Sequence, residues 1–385
     1  MRNFLLTSLV VLAVCACSGG GGGSGDGTPA AQVPSPTPPP LQGTALGNLA
    51  DSMAPGTWAQ LNVPNQNALL GVGSVSETMI HFANTMPWNP ISKAIEIIGE
   101  DHGYGSLRHV RYDERTNTFI LVANDSGFGN GLDHGYDQTT LNPNTGDLYR
   151  RMNSGFTGTI SSRRKTIGGA VTSLPNVTVP VEQVAIGTTW WSGSFAGGGA
   201  QGSFMIFNSG TSLGNANDGQ ILAYNPLTNT WFYNQQGRSP FYGNVNNGTY
   251  HSVIEYSPQK NVAVYGGGNA APNLLWRLNS DGSFISMPNV PAGKAVGIQR
   301  GTLVNEPVTG NFLLLSAGEL WELNPSGSGS WTQQTGTRTP PNAVGIPGPT
   351  TIEAVVASSI SDHGVVVFIT QPNQNGATFF LYKHQ

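Results

Sequence analysis

The chain has 385 residues, of which 10% are charged and 38% apolar, with 52 glycines, 26 prolines and a formal net charge of −4. An average soluble domain is about 25% charged, and the basic field that binds nucleic acid is missing, so a nucleic-acid partner is disfavoured. Both cysteines, Cys15 and Cys17, lie near the N-terminus, which excludes disulfides, cysteine-ligated zinc, thiol catalysis and a cysteinyl-tyrosine copper-radical site from the rest of the chain.

Arg2 followed by the apolar stretch 4–14 reads as an export signal. The phrase Val14-Cys15-Ala16-Cys17-Ser18 resembles a bacterial lipobox. The resemblance implies a signal peptide over 1–16 and acylation of Cys17. It also implies a place in the bacterial cell envelope, on the outer membrane and facing the periplasm or the surface, with the lipid as the only membrane contact. Acylation at Cys15 fits worse because it puts Val14 at −1; an ordinary secretory signal is the alternative. Residues 17–44 hold a glycine run and then the prolines of 34–40. Such a segment cannot bury a core and is expected to be a flexible tether, leaving 45–385 as the folded domain.

The strand Thr57–Leu61 comes first and has no partner near it in sequence. Beyond it two phrases alternate. One is an apolar position, a polar turn and an aromatic opening a strand: Tyr112-Asp-Glu-Arg-Thr-Asn-Thr-Phe119 and Tyr224-Asn-Pro-Leu-Thr-Asn-Thr-Trp231, with weaker copies ending at Phe284 and Trp331. The other is a turn followed by a dense apolar strand, opening at Asn89-Pro90, Asn142-Pro143, Ser257-Pro258, Glu306-Pro307 and Asp362. Each phrase is a hairpin with turn chemistry suited to Pro, Asn and Gly. The aromatic anchors recur at roughly 50-residue intervals, the signature of four-stranded propeller blades.

Six such units fill 57–385, which favours an all-β, six-bladed β-propeller over a seven-bladed one. The last unit offers strands at 352–360, 363–370 and 377–382 but no fourth. The expectation is that 57–61 supplies it and seals the ring, leaving no exposed edge. The phrases Tyr224–Trp231 and Tyr256-Ser-Pro-Gln-Lys-Asn-Val-Ala-Val-Tyr-Gly-Gly267 resemble kelch repeats of the galactose-oxidase-like propellers. That resemblance implies a fold and says little about activity.

Label the strands of a blade a to d from the axis outward. The a–b and c–d turns then share one end of the ring, and the b–c and d–a loops share the other. Aligned on the a–b turn proline, His81 and His134 stand nine residues before Pro90 and Pro143. Tyr136, His251 and Arg300 stand seven before Pro143, Pro258 and Pro307. These offsets share parity and point to one side of the inner strand. The phrase Asp-His-Gly-Tyr occurs at 101–104 and again at 133–136, in loops that open on the same end. The register therefore gathers His81, His102, Tyr104, His134, Tyr136, Tyr250, His251 and Arg300 there, with Arg150, Arg151, Trp190 and Trp191 near the rim. Trp190 and Trp191 adjoin, so one is expected in the core and one facing out.

Several chemistries fit this set. The first is engagement of a carbohydrate, more acidic than neutral, with His81, Arg150, Arg151, Trp190, Trp191 and Tyr250 as binding residues. The second is β-elimination on a uronate polymer, which needs a base beside the carboxylate and a cation for the developing charge. His102, Tyr104, His134, Tyr136, His251 and Arg300 would serve there, in outline similar to propeller polysaccharide lyases. A third is a protein-docking scaffold. No cofactor is required, although a divalent metal held by several histidines is an option; a monomer is expected. A sialidase-like propeller is disfavoured because Ser280-Asp281-Gly282-Ser283-Phe284 lacks the expected box spacing, and Gly197-Gly198-Gly199 is no phosphate loop.

Overall fold

The computed structural model describes residues 38–64, 70, 79–80, 82–99, 107–129, 135–152, 159–178, 185–198, 202–208, 220–236, 251–269, 271–344, 354–371 and 377–385. A short helix, α1 (Ala45–Ser52), leads into β1 (Thr57–Leu61). Blade one is β2 (Trp88–Asn89), β3 (Ala94–Gly99), β4 (Arg108–Asp113) and β5 (Thr118–Ala123). Blade two is β6 (Thr139–Leu141), β7 (Leu148–Met152) and β8 (Thr159–Lys165), with its outer strand split into β9 (Val171–Ser173) and β10 (Val177–Thr178). Blade three is β11 (Ala185–Trp191), β12 (Ser203–Asn208), β13 (Gln220–Asn225) and β14 (Thr230–Gln236). Blade four is β15 (Val253–Ser257), β16 (Val262–Gly266), β17 (Leu275–Asn279) and β18 (Phe284–Ser286). Blade five is β19 (Gly301–Asn305), β20 (Phe312–Ser316), β21 (Glu319–Asn324) and β22 (Ser330–Gln334). Blade six is β23 (Ala354–Ile360), β24 (Val365–Gln371) and β25 (Thr378–Lys383), completed by β1.

The protein is a six-bladed β-propeller, and the sealing role expected of 57–61 is observed. β1 runs antiparallel to β25, from Thr57 opposite Lys383 to Leu61 opposite Phe379. Trp58 packs on Phe368 and Tyr382 at 5.3 and 4.7 Å between centroids, and its indole donates to the Arg338 carbonyl at 2.9 Å. The helix α1 had no forerunner in the sequence reading. Thr44 caps it by accepting from the Gly47 N–H at 3.0 Å, and Leu46, Ala50 and Met53 enter the core between blades six and one.

The second strands of blades three to six, β12, β16, β20 and β24, read as nearly continuous apolar runs because each blade is covered on both faces. In β24, Val365, Val367 and Ile369 pack toward blade one, while Val366 and Phe368 pack toward blade five. Alternation survives as a choice between two cores, so it does not show as apolar against polar.

The repeating tyrosine phrase has a local cause. Tyr112, Tyr224 and Tyr256 each donate their hydroxyl to the side-chain oxygen of the asparagine five residues on, Asn117, Asn229 and Asn261, at 3.0, 2.7 and 3.0 Å. All three asparagines are left-handed, at φ 52°, 55° and 52°, a conformation that asparagine tolerates and other side chains resist. Asn261→Ala is expected to cost roughly 1–2 kcal/mol of backbone strain and about 1 kcal/mol for the lost hydrogen bond. Asn261→Gly should recover the backbone part in urea denaturation; equal losses in the two variants would show that the φ argument fails.

Candidate functional site

The axis is built by the segments that lead into the inner strands. Asn84 and Asp137 are equivalent, each six residues before an a–b turn proline, and each grips the backbone of a blade across the ring. Asn84 donates to the Leu303 carbonyl at 2.8 Å and accepts from the Leu303 N–H at 3.0 Å. Asp137 accepts from the Ile254 N–H at 2.8 Å through Oδ2, and its carbonyl accepts from the Thr188 N–H at 2.7 Å. Residues 83–86 leave blade one's sheet and fill the centre. Ala83 bridges to Tyr136 and Thr85 to Ala357, with Met86 N–H on the Ala357 carbonyl at 2.8 Å.

At the loop end of this axis Phe82, Tyr136 and His251 converge from blades one, two and four. Their ring centroids are 6.3 Å apart for Phe82–Tyr136, 5.7 Å for Phe82–His251 and 6.0 Å for Tyr136–His251. All three are half-buried and keep part of their surface open. Tyr136 and His251 are left-handed, at φ 44° and 66°, which costs a bulky side chain of order 1–2 kcal/mol. In His251 this turn presents the carbonyl to the Ile298 N–H of the next blade at 2.8 Å. Strain held at equivalent positions in two blades is the pattern found where a site is pre-organised. Arg300, also half-buried, directs its guanidinium to the Asn269 side-chain oxygen at 3.3–3.4 Å.

The turn end of the axis holds a cavity of ≈ 200 Å³, walled by all six blades through Trp88, Thr140, Thr189, Glu255, Val304 and Ser359. The prolines of four a–b turns, Pro90, Pro143, Pro258 and Pro307, also line it, which places its mouth at that end. Glu255 is the one charged residue on the six innermost strands. Burial, and then the neighbouring Asp137, raise the Glu255 carboxyl well above the usual range; Thr85 and the Asn305 N–H oppose them weakly. Burial likewise raises Asp137, against the hydrogen bonds from Ile254 and Thr85.

A second polar cluster lies inside blade one, where it meets blade two. Glu96, fully buried, accepts from His109 Nε2 at 2.8 Å, from Arg111 at 2.9 Å and from Asn89 at 3.2 Å. Burial alone would push Glu96 up, but the hydrogen bonds and charges of His109 and Arg111 outweigh it and hold the carboxyl at about 2. Burial lowers His109 against the hydrogen bond and charge of Glu96. Its Nδ1 accepts from Lys165 at 3.3 Å while Nε2–H faces Glu96. His363 and His384 also pair with glutamates, Glu114 at 2.8 Å and Glu322 at 3.0 Å. These three histidines hold the scaffold together.

Of the residues expected at the loop end, the structure brings Tyr136 and His251 together and adds Phe82. His81, His102, Tyr104, His134 and Tyr250 lie outside the described residues, as does Cys17. The rim expectation is corrected. Trp190 and Trp191 are both buried, at 4% and 0% exposure, so neither faces out. Trp190 packs on Tyr149 in the core between blades two and three, and Trp191 on Phe195 and Tyr256 toward blade four. Adjacent residues on a strand point to opposite faces, and both faces of this strand are covered. Arg150 and Arg151 are buried too, and Arg150 holds the Gly135 carbonyl and the Thr139 hydroxyl at 3.0 and 2.9 Å. The axial carboxylates were missed, yet both left a trace. Aligning Asp137 with Asn84 on the turn proline marks an axial position, and Glu255 interrupts an otherwise apolar strand. Among the described residues no group of three or more His, Cys, Asp or Glu side chains converges.

No protein-family model and no curated protein matches the chain. Among solved structures it is similar to a neuraminidase-like protein from A/bat/Guatemala/164/2009, at 10% identity and TM-score 0.48, over 86% of this chain and 96% of that one. It is also similar to a protein from Bacteroides thetaiotaomicron VPI-5482, at 10% identity and TM-score 0.46, over 84% and 76% of the two chains. A third is the Aleuria aurantia lectin in complex with Fucα1-6GlcNAc, at 12% identity and TM-score 0.40, over 64% and 76%. At such identities these likenesses concern the fold alone.

Proposed function

We propose that the protein engages a carbohydrate, preferably an acidic one, at the loop end of its axis. The observation that carries this reading is the convergence of Phe82, Tyr136 and His251 from three blades, half-exposed and with two of them in strained backbone. Flat rings held at fixed positions stack on the apolar faces of sugars, and Arg300 offers a planar fork for a carboxylate. In sequence, His81 adjoins Phe82, His134 stands two residues before Tyr136, and Tyr250 precedes His251. The kelch-like phrase and the lipobox-like N-terminus complete the reading: a propeller tethered through Cys17 in a bacterial envelope. A lyase acting on uronate polymers is the second reading, supported by the pairing of a phenol with an imidazole near the axis.

Asparagine tolerates left-handed backbone, so Tyr136→Asn and His251→Asn remove the rings without adding strain. Each is expected to weaken binding to a responsive polysaccharide in affinity electrophoresis roughly 5- to 30-fold, about 1–2 kcal/mol, with an unchanged melting temperature. Unsaturated uronate, read by ultraviolet absorbance, would mark the lyase. Full binding in both variants would remove this site from consideration.

A further inference from the structure

The cavity at the turn end poses a problem of charge. Asp137 is buried and Glu255 lines the cavity wall, yet among the described residues no ion pair joins either to a basic side chain. The inner strands and the segment 85–88 supply no cation. Arg150, which touches Thr139 on the same wall, is directed to the Gly135 carbonyl and the Thr139 hydroxyl. Asp137 is buried and Glu255 half-buried, and carboxylates held off water without a counter-charge are costly unless something neutralises them.

Hydrogen bonding does not supply the deficit. The Thr85 hydroxyl has one proton to serve both Asp137 Oδ1, at 3.1 Å, and Glu255, whose other donor is the Asn305 N–H. Two further side chains that line the same cavity carry unused polar atoms. Thr188, 4% exposed, has a buried hydroxyl with no partner, and Asn305, 5% exposed, has a buried amide nitrogen with none. Amide nitrogen and oxygen are assigned by fit and not distinguished directly, so turning Asn305 over exchanges the two atoms. Glu255, Thr188 and Asn305, from blades four, three and five, thus line one cavity, and the Thr85 hydroxyl on the same wall reaches Asp137.

We propose that the turn end of the axis is a binding site for a hard divalent cation of the calcium class, held by Glu255 and Asp137 with Thr188 and Asn305 completing the shell. Calcium takes six to eight oxygen ligands in irregular geometry and keeps water where protein donors run short. Apart from the Met86 thioether, the described wall carries no sulfur and no imidazole, which disfavours zinc and copper. A cation there would join four blades at the centre of the ring, where Asn84 and Asp137 already cross it. The site lies at the opposite end from the carbohydrate site and does not depend on it.

The test is calorimetric titration of chelator-treated full-length protein with calcium chloride, paired with thermal melts in calcium and in chelator. Wild type is expected to bind one ion and to melt several degrees higher with calcium. Glu255→Gln and Thr188→Val should still fold, judged by circular dichroism, with the calcium affinity falling at least tenfold in the first and severalfold in the second. No heat and no melting shift in wild type overturns the proposal. So does calcium binding that survives unchanged in Glu255→Gln, which would place the ion elsewhere.

Discussion

A chain that begins at Asn62 is expected to lose cooperative folding and to associate. It would lack α1 and β1, and with them Leu46, Met53, Trp58 and Leu61, which pack between blades six and one or on blade six. Burying a side chain of that size contributes about 1.5–3 kcal/mol. The four together reach on the order of 6–12 kcal/mol, comparable with the whole stability of an ordinary domain, about 5–15 kcal/mol. The loss would also bare β25, whose pairing with β1 runs from Phe379 to Lys383, and an open apolar edge recruits other chains. Size-exclusion chromatography with light scattering should show oligomers, and calorimetry a broad or missing transition. A synthetic peptide covering 40–63 should restore the monomer by adding the missing strand. A monomer that melts within a few degrees of the intact protein would show that blade six does not need β1.

Glu96→Gln is expected to cost about 3–5 kcal/mol, the range for removing one partner of a buried ion pair. It would leave Arg111 and the Lys165 ammonium facing a neutral amide through His109. The pH dependence supplies an independent readout. Glu96 titrates at about 2 in the folded protein, below the value near 4.3 of a free glutamate. Its contribution is therefore present above pH ~4.3 and is lost as pH falls toward 2. Urea denaturation across that window should show a steep acid limb in wild type and a flatter one in Glu96→Gln. In chelator, with no cation bound, Asp137 and Glu255 act with the opposite sign. Their folded values are raised, so the stability they give is complete below about pH 4 and declines as pH rises through the folded values. Parallel acid limbs in the two proteins, with a loss under 1 kcal/mol, would show that the cluster is not held by charge.

The turn chemistry, blade count and sealing strand were legible because they are local. Asn117, Asn229 and Asn261 announce left-handed turn positions within a few residues of the tyrosines they bind, and the strand at 57–61 was assigned to blade six simply because that blade lacked one. Tyr136 and His251 were legible through register against Pro143 and Pro258. What defeated the sequence reading was burial on both faces of a strand. Trp190 and Trp191 looked like one inward and one outward ring, but in a propeller blade both directions lead into a core. Arg150 and Arg151 looked like rim charges, but both are buried in β7, and Arg150 turns to Thr139 on the neighbouring strand β6 and to the Gly135 carbonyl just before it.

The amino-acid order alone thus determined that this protein would close six sheets about an axis, since hairpin turns and strand alternation act over a few residues. Only the tertiary structure decided what fills that axis. Asn84, Asp137 and Glu255 acquire their meaning from backbone and carboxyl groups dozens to hundreds of residues away, and no spacing rule within one blade encodes a contact made across the ring.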